Sequence, residues 1–539
     1  MKKRFIYSSL LIASSFFVSC TKDFATKNTD PNKTTAAVFD PNFLLSQGQM
    51  KFGNASGYDQ LIYQSMWSQN LASTFSYYTN GDKYVFGSSA TAYQAYLWND
   101  CYGAATFTYE MKNLVKGNAS FTNLDNIGTI MNILILQRVT DAYGDIPYSQ
   151  ALQAKSGLVT PVFDTQKDIY TSMLSSLVTA TAALDVSKDK PTADIMYNGD
   201  ITQWKKLGYS LMLRLAMRLT KVDQTTAQKY AELAYAGGTM ASVSDNAKVY
   251  ADVTSSSYIN SDATSLLTVD DFRTVHWSKP LMDYMHSTND PRISAVGEIT
   301  NGTGKAANEN RDLSSGVGIS TASLQIGMPN GYDELGGTTD ISKAPGYPGT
   351  SPADPSVAGD APAPLGLYSR PRLLVYEDKS RANFLLTYGE SELLLAEAAT
   401  RGWATGSANT HYANALTADM QSLAQLNATP VAVVTAADIA AYVSAHPLDA
   451  ANALQQINTE YWVESATTFD FNESFSNWRR SGFPILTPVV YQSQFSVGIP
   501  RRIPYPTTIP STNPTNYAAA VARLSGGDRY DSRVWWDSK

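Results

Sequence analysis

The chain has little reactive chemistry to build with. Its four histidines, at 276, 286, 411 and 446, fall at no metal-ligating spacing. It has no GxSxG elbow, no HExxH helix, no phosphate-cradling GxxxxGK[ST] loop and no GxGxxG after a strand. These absences leave no ready-made nucleophile, zinc site or nucleotide site, and no cofactor or metal is expected. Basic residues are also in deficit: a net charge of -7 offers no field for a polyanion, so nucleic acid is not an expected partner. Beyond residue 20 there is no apolar run of about 20 residues, the length a membrane-spanning helix needs.

Cysteine is the scarcest residue, and one of the two sits in a telling place. Cys20 closes MKKRFIYSSLLIASSFFVSC, in which Lys2, Lys3 and Arg4 precede a short apolar stretch from Phe5 to Val18, the pattern of an export signal over 1–19. The residues before it, Phe17, Val18 and Ser19, resemble a bacterial lipobox, with Phe17 where leucine is usual. Such a cysteine carries acyl chains, and two or more of these anchor a protein stably without a transmembrane helix. Lipidation of Cys20 leaves Cys101 without a disulfide partner, so stability has to come from the core. Residues 20–42 are polar with two Asp-Pro-Asn turns and read as a lipidated tether, followed by one domain over 43–539.

What the chain has in abundance is apolar helix and tyrosine. Ile130, Met131, Ile133, Leu134, Ile135, Leu136 and Val139 leave almost no polar face, which predicts a helix enclosed by others. It ends at a turn in which Gly144 permits positive φ, Pro147 holds Ile146 extended, and Asp141 and Asp145 are placed to hold the turn's own amides. Further helices are expected at 164–184, with Asp164 or Thr165 as cap, from Asp200 through Arg218, at 384–403, and at 451–482 with Gly482 as a left-handed stop. Arg214 and Arg218, one turn apart on an apolar helix, need buried partners, and Glu390 and Glu397 share a face of another apolar helix. An ion pair between these two helices is the expectation. Residues 238–380 are rich in Gly, Pro, Ser, Thr, Asn and Asp and read as a large loop-rich lobe.

Several of these segments resemble one family in the same order. RVTDAYGDIPYSQAL at 138–152, NTDPN at 28–32, the D-x-x-Y-x-G-D-x-x-x-W pattern from Asp194 to Trp204 with its arginine-bearing helix, and the triplet Asp290, Pro291, Arg292 are all similar to SusD/RagB-type lipoproteins. WRRSGFP at 478–484, Arg501, Arg502 and Pro504, and Val534 to Asp537 complete the likeness. The resemblance implies a mainly α fold, a tetratricopeptide-like helical superhelix carrying the loop-rich lobe. It further implies an outer-membrane, lipid-anchored, surface-exposed protein that binds a nutrient oligomer and delivers it to a SusC-like TonB-dependent transporter.

Between Tyr58 and Tyr109 lie 14 aromatic residues in 52, well above the chain average of 11%. Exposed rings stack on the apolar faces of sugars while nearby polar groups bind hydroxyls. Trp67, Tyr77, Tyr78, Tyr84, Trp98, Trp277 and Tyr332 are the candidate platform, although a packed core would accept each of them; Tyr63, Tyr96 and Tyr102 are expected in the core. An oligosaccharide is the expected ligand, with a peptide as an alternative. Two other classes compete. Carboxylate pairs such as Asp141 with Asp145, or Glu390 with Glu392, would suit a glycan hydrolase if they faced an open cleft, and a surface adhesin would be expected to show β-rich repeats.

Overall fold

Residues 122–143 form a helix because nothing in them interrupts one, and they lie at the centre because seven large aliphatic side chains from Ile130 onward leave no wettable face. The computed structural model describes residues 39–55, 57–87, 90–268, 271, 274–299, 318–334, 336–349 and 366–538. The signal segment, Cys20 and most of the tether therefore lie outside the described residues. Residues from Asn42 onward belong to one compact unit.

Counting helices of nine residues or more, the unit runs α1 (Asn42–Gly53), α2 (Tyr96–Val115), α3 (Thr122–Tyr143), α4 (Gln166–Ala183), α5 (Ile201–Arg218), α6 (Gln224–Gly237), α7 (Lys279–Ser287), α8 (Tyr388–Thr400), α9 (Ala408–Ser422), α10 (Ala436–Ala445), α11 (Ala453–Thr467), α12 (Phe471–Ser481) and α13 (Pro514–Ala522). Each helix from α1 to α6 packs on the next, α5 hands on to α8, and α8 packs on both α9 and α11, with α12 returning against α11 and α3. This is a mainly α, tetratricopeptide-like superhelix. Between α6 and α8 lies the loop-rich lobe. Among the described residues there are three two-stranded antiparallel pairs: β1 (Leu71–Ser73), which comes from the segment between α1 and α2, with β3 (Val275–Trp277) of the lobe, β2 (Ala247–Tyr250) with β6 (Ala382–Leu386), and β4 (Gly297–Glu298) with β5 (Arg370–Pro371). Among the described residues no helix is long and apolar enough to cross a membrane.

Helix ends follow local chemistry. Thr165 caps α4 through the amide of Asp168, Asp200 caps α5 through Thr202 and Gln203, and Gly482 closes α12 in the left-handed region. Gly144 takes φ +88° after α3, donating its N–H to the carbonyl of Thr140. The aspartates of this turn do other work than their position suggests. Asp141 points inward to the hydroxyl of Tyr170, the indole N–H of Trp536 at 2.9 Å and Arg218, while the turn amides of Tyr148 and Ser149 are held by Asp164 at 2.9 and 2.8 Å. Long-range partners in α4, α5 and the C-terminal segment outcompete the local turn for Asp141.

The arginines of α5 are paired inside the bundle. Arg214 grips Glu390 of α8 through two bonds of 2.6 and 2.5 Å. Arg218 instead meets Glu473 of α12 and Asp141, and Glu397 is taken by Arg480 of α12 and Arg401. Cys101 is enclosed in the core of α2, where burial pushes its thiol well above the usual range.

Candidate functional site

The segment between α1 and α2 explains where the aromatic surplus goes. It is built from short helical turns, Tyr58–Ile62 and Gln64–Trp67, then β1 and the turns at 76–82, so its side chains radiate in several directions instead of along one stripe. Those on the inner side are core. Trp67 is fully enclosed between Tyr63 and Phe475, its indole N–H donating to the carbonyl of Asn80 at 3.2 Å; Tyr78 and Tyr84 are likewise buried. Trp277 lies in β3 with its N–H on the carbonyl of Val296 at 3.0 Å, edge-on to Tyr376 and Phe469. Trp67, Tyr78, Tyr84 and Trp277 therefore offer no ring face to a ligand, and the expectation that they form a platform is corrected. The indole N–H groups of Trp67 and Trp277 each find a backbone carbonyl, which lets these large rings sit in a dry interior.

The outer side carries a different set. Phe75, Tyr77, Tyr93, Tyr58 and Tyr96 follow one another ring to ring: Phe75 to Tyr77 at 6.0 Å, Tyr77 to Tyr58 and to Tyr93 both at 5.7 Å, Tyr58 to Tyr93 at 5.5 Å, and Tyr93 to Tyr96 at 4.7 Å. The hydroxyls of Tyr77 and Tyr93 touch, and that of Tyr58 donates to Asp271 at 2.7 Å. Burial, reinforced by the neighbouring carboxylate, pushes the Tyr58 hydroxyl far above the usual phenol range, so it acts only as a neutral donor. Tyr96, expected in the core, is 44% exposed. Of the proposed platform, Tyr77 alone belongs to this cluster.

The cluster ends at the mouth of an open cleft of about 780 Å³, walled by α1, α2 and the segment 256–265. Tyr58, Tyr96, Phe107 and Tyr258 supply rings, and Ser256, Ser257 and Ser261 supply polar groups. Tyr258 is fixed by its hydroxyl on the side-chain oxygen of Gln47 at 2.6 Å. Among the described residues, the charges lining the cleft are Lys51 and Asp100, and they face each other at 3.7 Å. Gly57 lets the wall close up, since a Cβ there would come 2.3 Å from the Ser261 hydroxyl oxygen. Such a surface, amphipathic and self-compensated in charge, suits a neutral ligand with flat apolar faces.

Two predicted residues lie elsewhere. Trp98 is almost enclosed, packed on Tyr102 and Tyr143, and borders a smaller hollow on another flank of α2. Tyr332 is half-buried against a small cluster of Ala72, Met328, Ile341 and Tyr368 in the lobe. The carboxylates considered for hydrolysis are committed to partners: Asp145 to the amide of Gln166 and to Arg523, Glu390 to Arg214, and Glu392 to His411 at 2.8 Å and Asn414 at 3.0 Å. Among the described residues no group of three or more His, Cys, Asp or Glu is placed to hold a metal ion. Tyr58, Tyr93 and Tyr258 are site residues that sequence reasoning passed over, and Tyr96 is one that it assigned to the core. The density of aromatics between 58 and 109 marks the region but not which rings face out.

Comparison with known proteins bears on what such a cleft serves. A SusD-like family model, described as starch-binding and associating with the outer membrane, matches residues 31–506. Among solved structures, one described as a chitin-binding protein is 29% identical, with a TM-score of 0.77 over 93% of this chain and 100% of that one. A Bacteroidetes SusD-like protein is 23% identical, TM-score 0.76, over 93% and 100%. A chitin-binding SusD homologue from Flavobacterium johnsoniae is 21% identical, TM-score 0.68, over 93% and 99%. No curated protein matches the chain.

Proposed function

Because the chain belongs to the SusD-like family, described as starch-binding and associating with the outer membrane, we propose that it is a surface lipoprotein that captures a neutral oligosaccharide and releases it unchanged to a SusC-like TonB-dependent transporter. The observation that carries this reading is the tyrosine cluster ending at the cleft. Tyr96, Tyr58 and Phe107 line it beside hydroxyl groups, and among the described residues its two charges face each other. Stacking supplies most of the attraction, and the hydroxyl rim of the sugar is met by Ser257 and Ser261. Chitin fragments are the first ligand to test, since the relative at 29% identity is described as chitin-binding. Cys20 is the proposed site of acylation, which holds the receptor at the membrane.

Titration calorimetry of the mature chain against N-acetylglucosamine oligomers, maltooligosaccharides and tyrosine-rich peptides, with chromatography of the recovered ligand, tests this directly. Binding of a glycan without new products is the expected result. Peptide binding alone, or release of shortened sugars, would overturn it.

A further inference from the structure

Helix α2 is a partition with a groove on each flank. Its buried stripe is Leu97, Cys101, Ala104, Thr108, Met111 and Val115. At 3.6 residues per turn, Tyr96, Asp100, Gly103 and Phe107 fall on one side of that stripe and reach the cleft described above, whereas Trp98, Tyr102, Tyr109 and Lys112 fall on the other.

That second flank is hollow too. Trp98, Tyr102, Pro147, Pro161 and Phe163 line one depression of about 190 Å³, and Tyr109, Lys112, Asn132, Tyr148 and Gln153 line another of about 270 Å³. Ala151 and Leu152 border both, so the two make one trough with a low sill. Leu152 is held at φ +64°, a left-handed conformation that a leucine rarely adopts and that the surrounding structure has to enforce. The two halves differ in chemistry. In the first, Trp98 lies 5.0 Å from Tyr102 and stacks on Phe163 at 6.1 Å, an aromatic and proline floor. The second is polar but carries no free charge: the Lys112 ammonium is spent on Asp125 at 2.5 Å and on the hydroxyl of Thr129 at 2.6 Å. Asn132 accepts from Thr108 through its oxygen at 2.5 Å, which leaves its amide N–H pair as donors at the trough.

We propose that this trough is a second binding site for a neutral oligosaccharide, with its apolar face on Tyr102, Val159 and Pro161 and its hydroxyls toward Asn132 and Gln153. The inference rests on the reading of the protein as a glycan receptor. Two sites separated by a single helix hold one polymer at two points, so a long chain is retained more tightly than a short one with no new contact. A proline-rich peptide is the competing occupant of the aromatic half, but it leaves the polar half without a function.

The test is titration of the mature chain with the N-acetylglucosamine hexamer and with maltohexaose, carried to saturation, beside Tyr96→Ala and Ser176→Trp, the latter filling the polar half from α4; circular dichroism checks that both variants fold. Two glycans per wild-type chain, with one site weakened about tenfold in Tyr96→Ala and the other lost in Ser176→Trp, is the expected result. One glycan, weakened in Tyr96→Ala and unchanged in Ser176→Trp, would overturn the trough and leave the receptor reading standing. Absence of glycan binding in the wild type would overturn the receptor reading, and the trough as a glycan site with it. Binding of a proline-rich peptide by the wild type, with glycan bound at the cleft alone, would reassign the trough to peptide docking.

Discussion

Arg480 of α12 grips Glu397 of α8 through two parallel hydrogen bonds of 2.7 and 2.6 Å in the interior of the bundle. Burial works against the ionised carboxylate, but Arg480 and then Arg401 outweigh it and hold Glu397 down at about 2. Removing one partner leaves the other charge uncompensated in the core, which costs about 3–5 kcal/mol. Glu397→Gln is therefore expected to shift the midpoint of urea unfolding sharply downward at neutral pH. An unchanged midpoint would mean that the pair is incidental to the packing of α8 against α12.

Other buried carboxyls run the opposite way. Burial first, and then the charge of Glu390, push Glu464 up to about 8 despite a 2.6 Å bond from the Thr387 hydroxyl; Asp419 is raised well above its usual range by burial and by Glu464 and Glu460. A folded-state value above the unfolded one gives stability that is present below the ordinary carboxylate range and lost as pH rises through the folded value. Glu397 gives the reverse, stability lost only as pH falls toward about 2. Together they set a mildly acidic optimum. Unfolding free energy is expected to decline between about pH 5 and about pH 9, and Glu464→Gln, or Asp419→Asn, to flatten that decline. An equally steep decline in both variants would place the titrating groups elsewhere.

The sequence revealed more of the frame than of the surface. A helix with seven aliphatic side chains and no polar face has one place to go, so α3 is legible as the centre. Arginines on an apolar helix have to be paired, so an α5 to α8 bridge is legible, although only packing decides that Arg214 takes Glu390 while Arg218 turns to Glu473 and Asp141. Tyrosine is where the reading fails. Tyr63 and Tyr96 sit in similar amphipathic sequence, yet one is sealed and the other 44% exposed, because a ring with a polar tip is stable in either setting. Trp67 and Trp277, two of the three tryptophans in the candidate set, are core for the reason that made them attractive: so large a ring buries much apolar area.

That division separates stability from binding. Trp67→Phe opens space beside Phe475 and strips the carbonyl of Asn80 of its donor, so it is expected to lower unfolding free energy by about 1–3 kcal/mol and leave glycan affinity unchanged at temperatures where the variant is folded. Tyr96→Ala is expected to do the reverse, weakening the cleft about tenfold, roughly 1.4 kcal/mol, with the unfolding midpoint unmoved. Calorimetry and urea unfolding on both variants decide the matter. A Trp67→Phe protein that is stable but unable to bind would return that ring to the site.

The proposed anchoring depends on the sulfur of Cys20. Metabolic labelling with a palmitate analogue is expected to mark the wild type and not Cys20→Ala, and the variant is expected to leave the membrane fraction, since no described helix spans a bilayer. Persistent labelling would remove the acyl anchor from this cysteine.

Charge compensation in the cleft makes a last, separate demand. Lys51 and Asp100 are each more than a third exposed and lie 3.7 Å apart, a pairing worth roughly 0–1 kcal/mol, so neither is held in place firmly enough to recognise an ionic ligand on its own. Salt distinguishes the cases. Raising ionic strength from about 0.1 to about 1 M shortens the screening length from about 10 to about 3 Å, which weakens a charged ligand's attraction and leaves stacking and neutral hydrogen bonds in place. Affinity for a neutral oligosaccharide is thus expected to stay within about twofold over that range, and Lys51→Ala to alter it little. A uronic-acid oligomer that bound more tightly than its neutral counterpart, and lost that advantage in high salt and in Lys51→Ala, would show that Lys51 leaves Asp100 for the ligand and that the cleft selects acidic sugars.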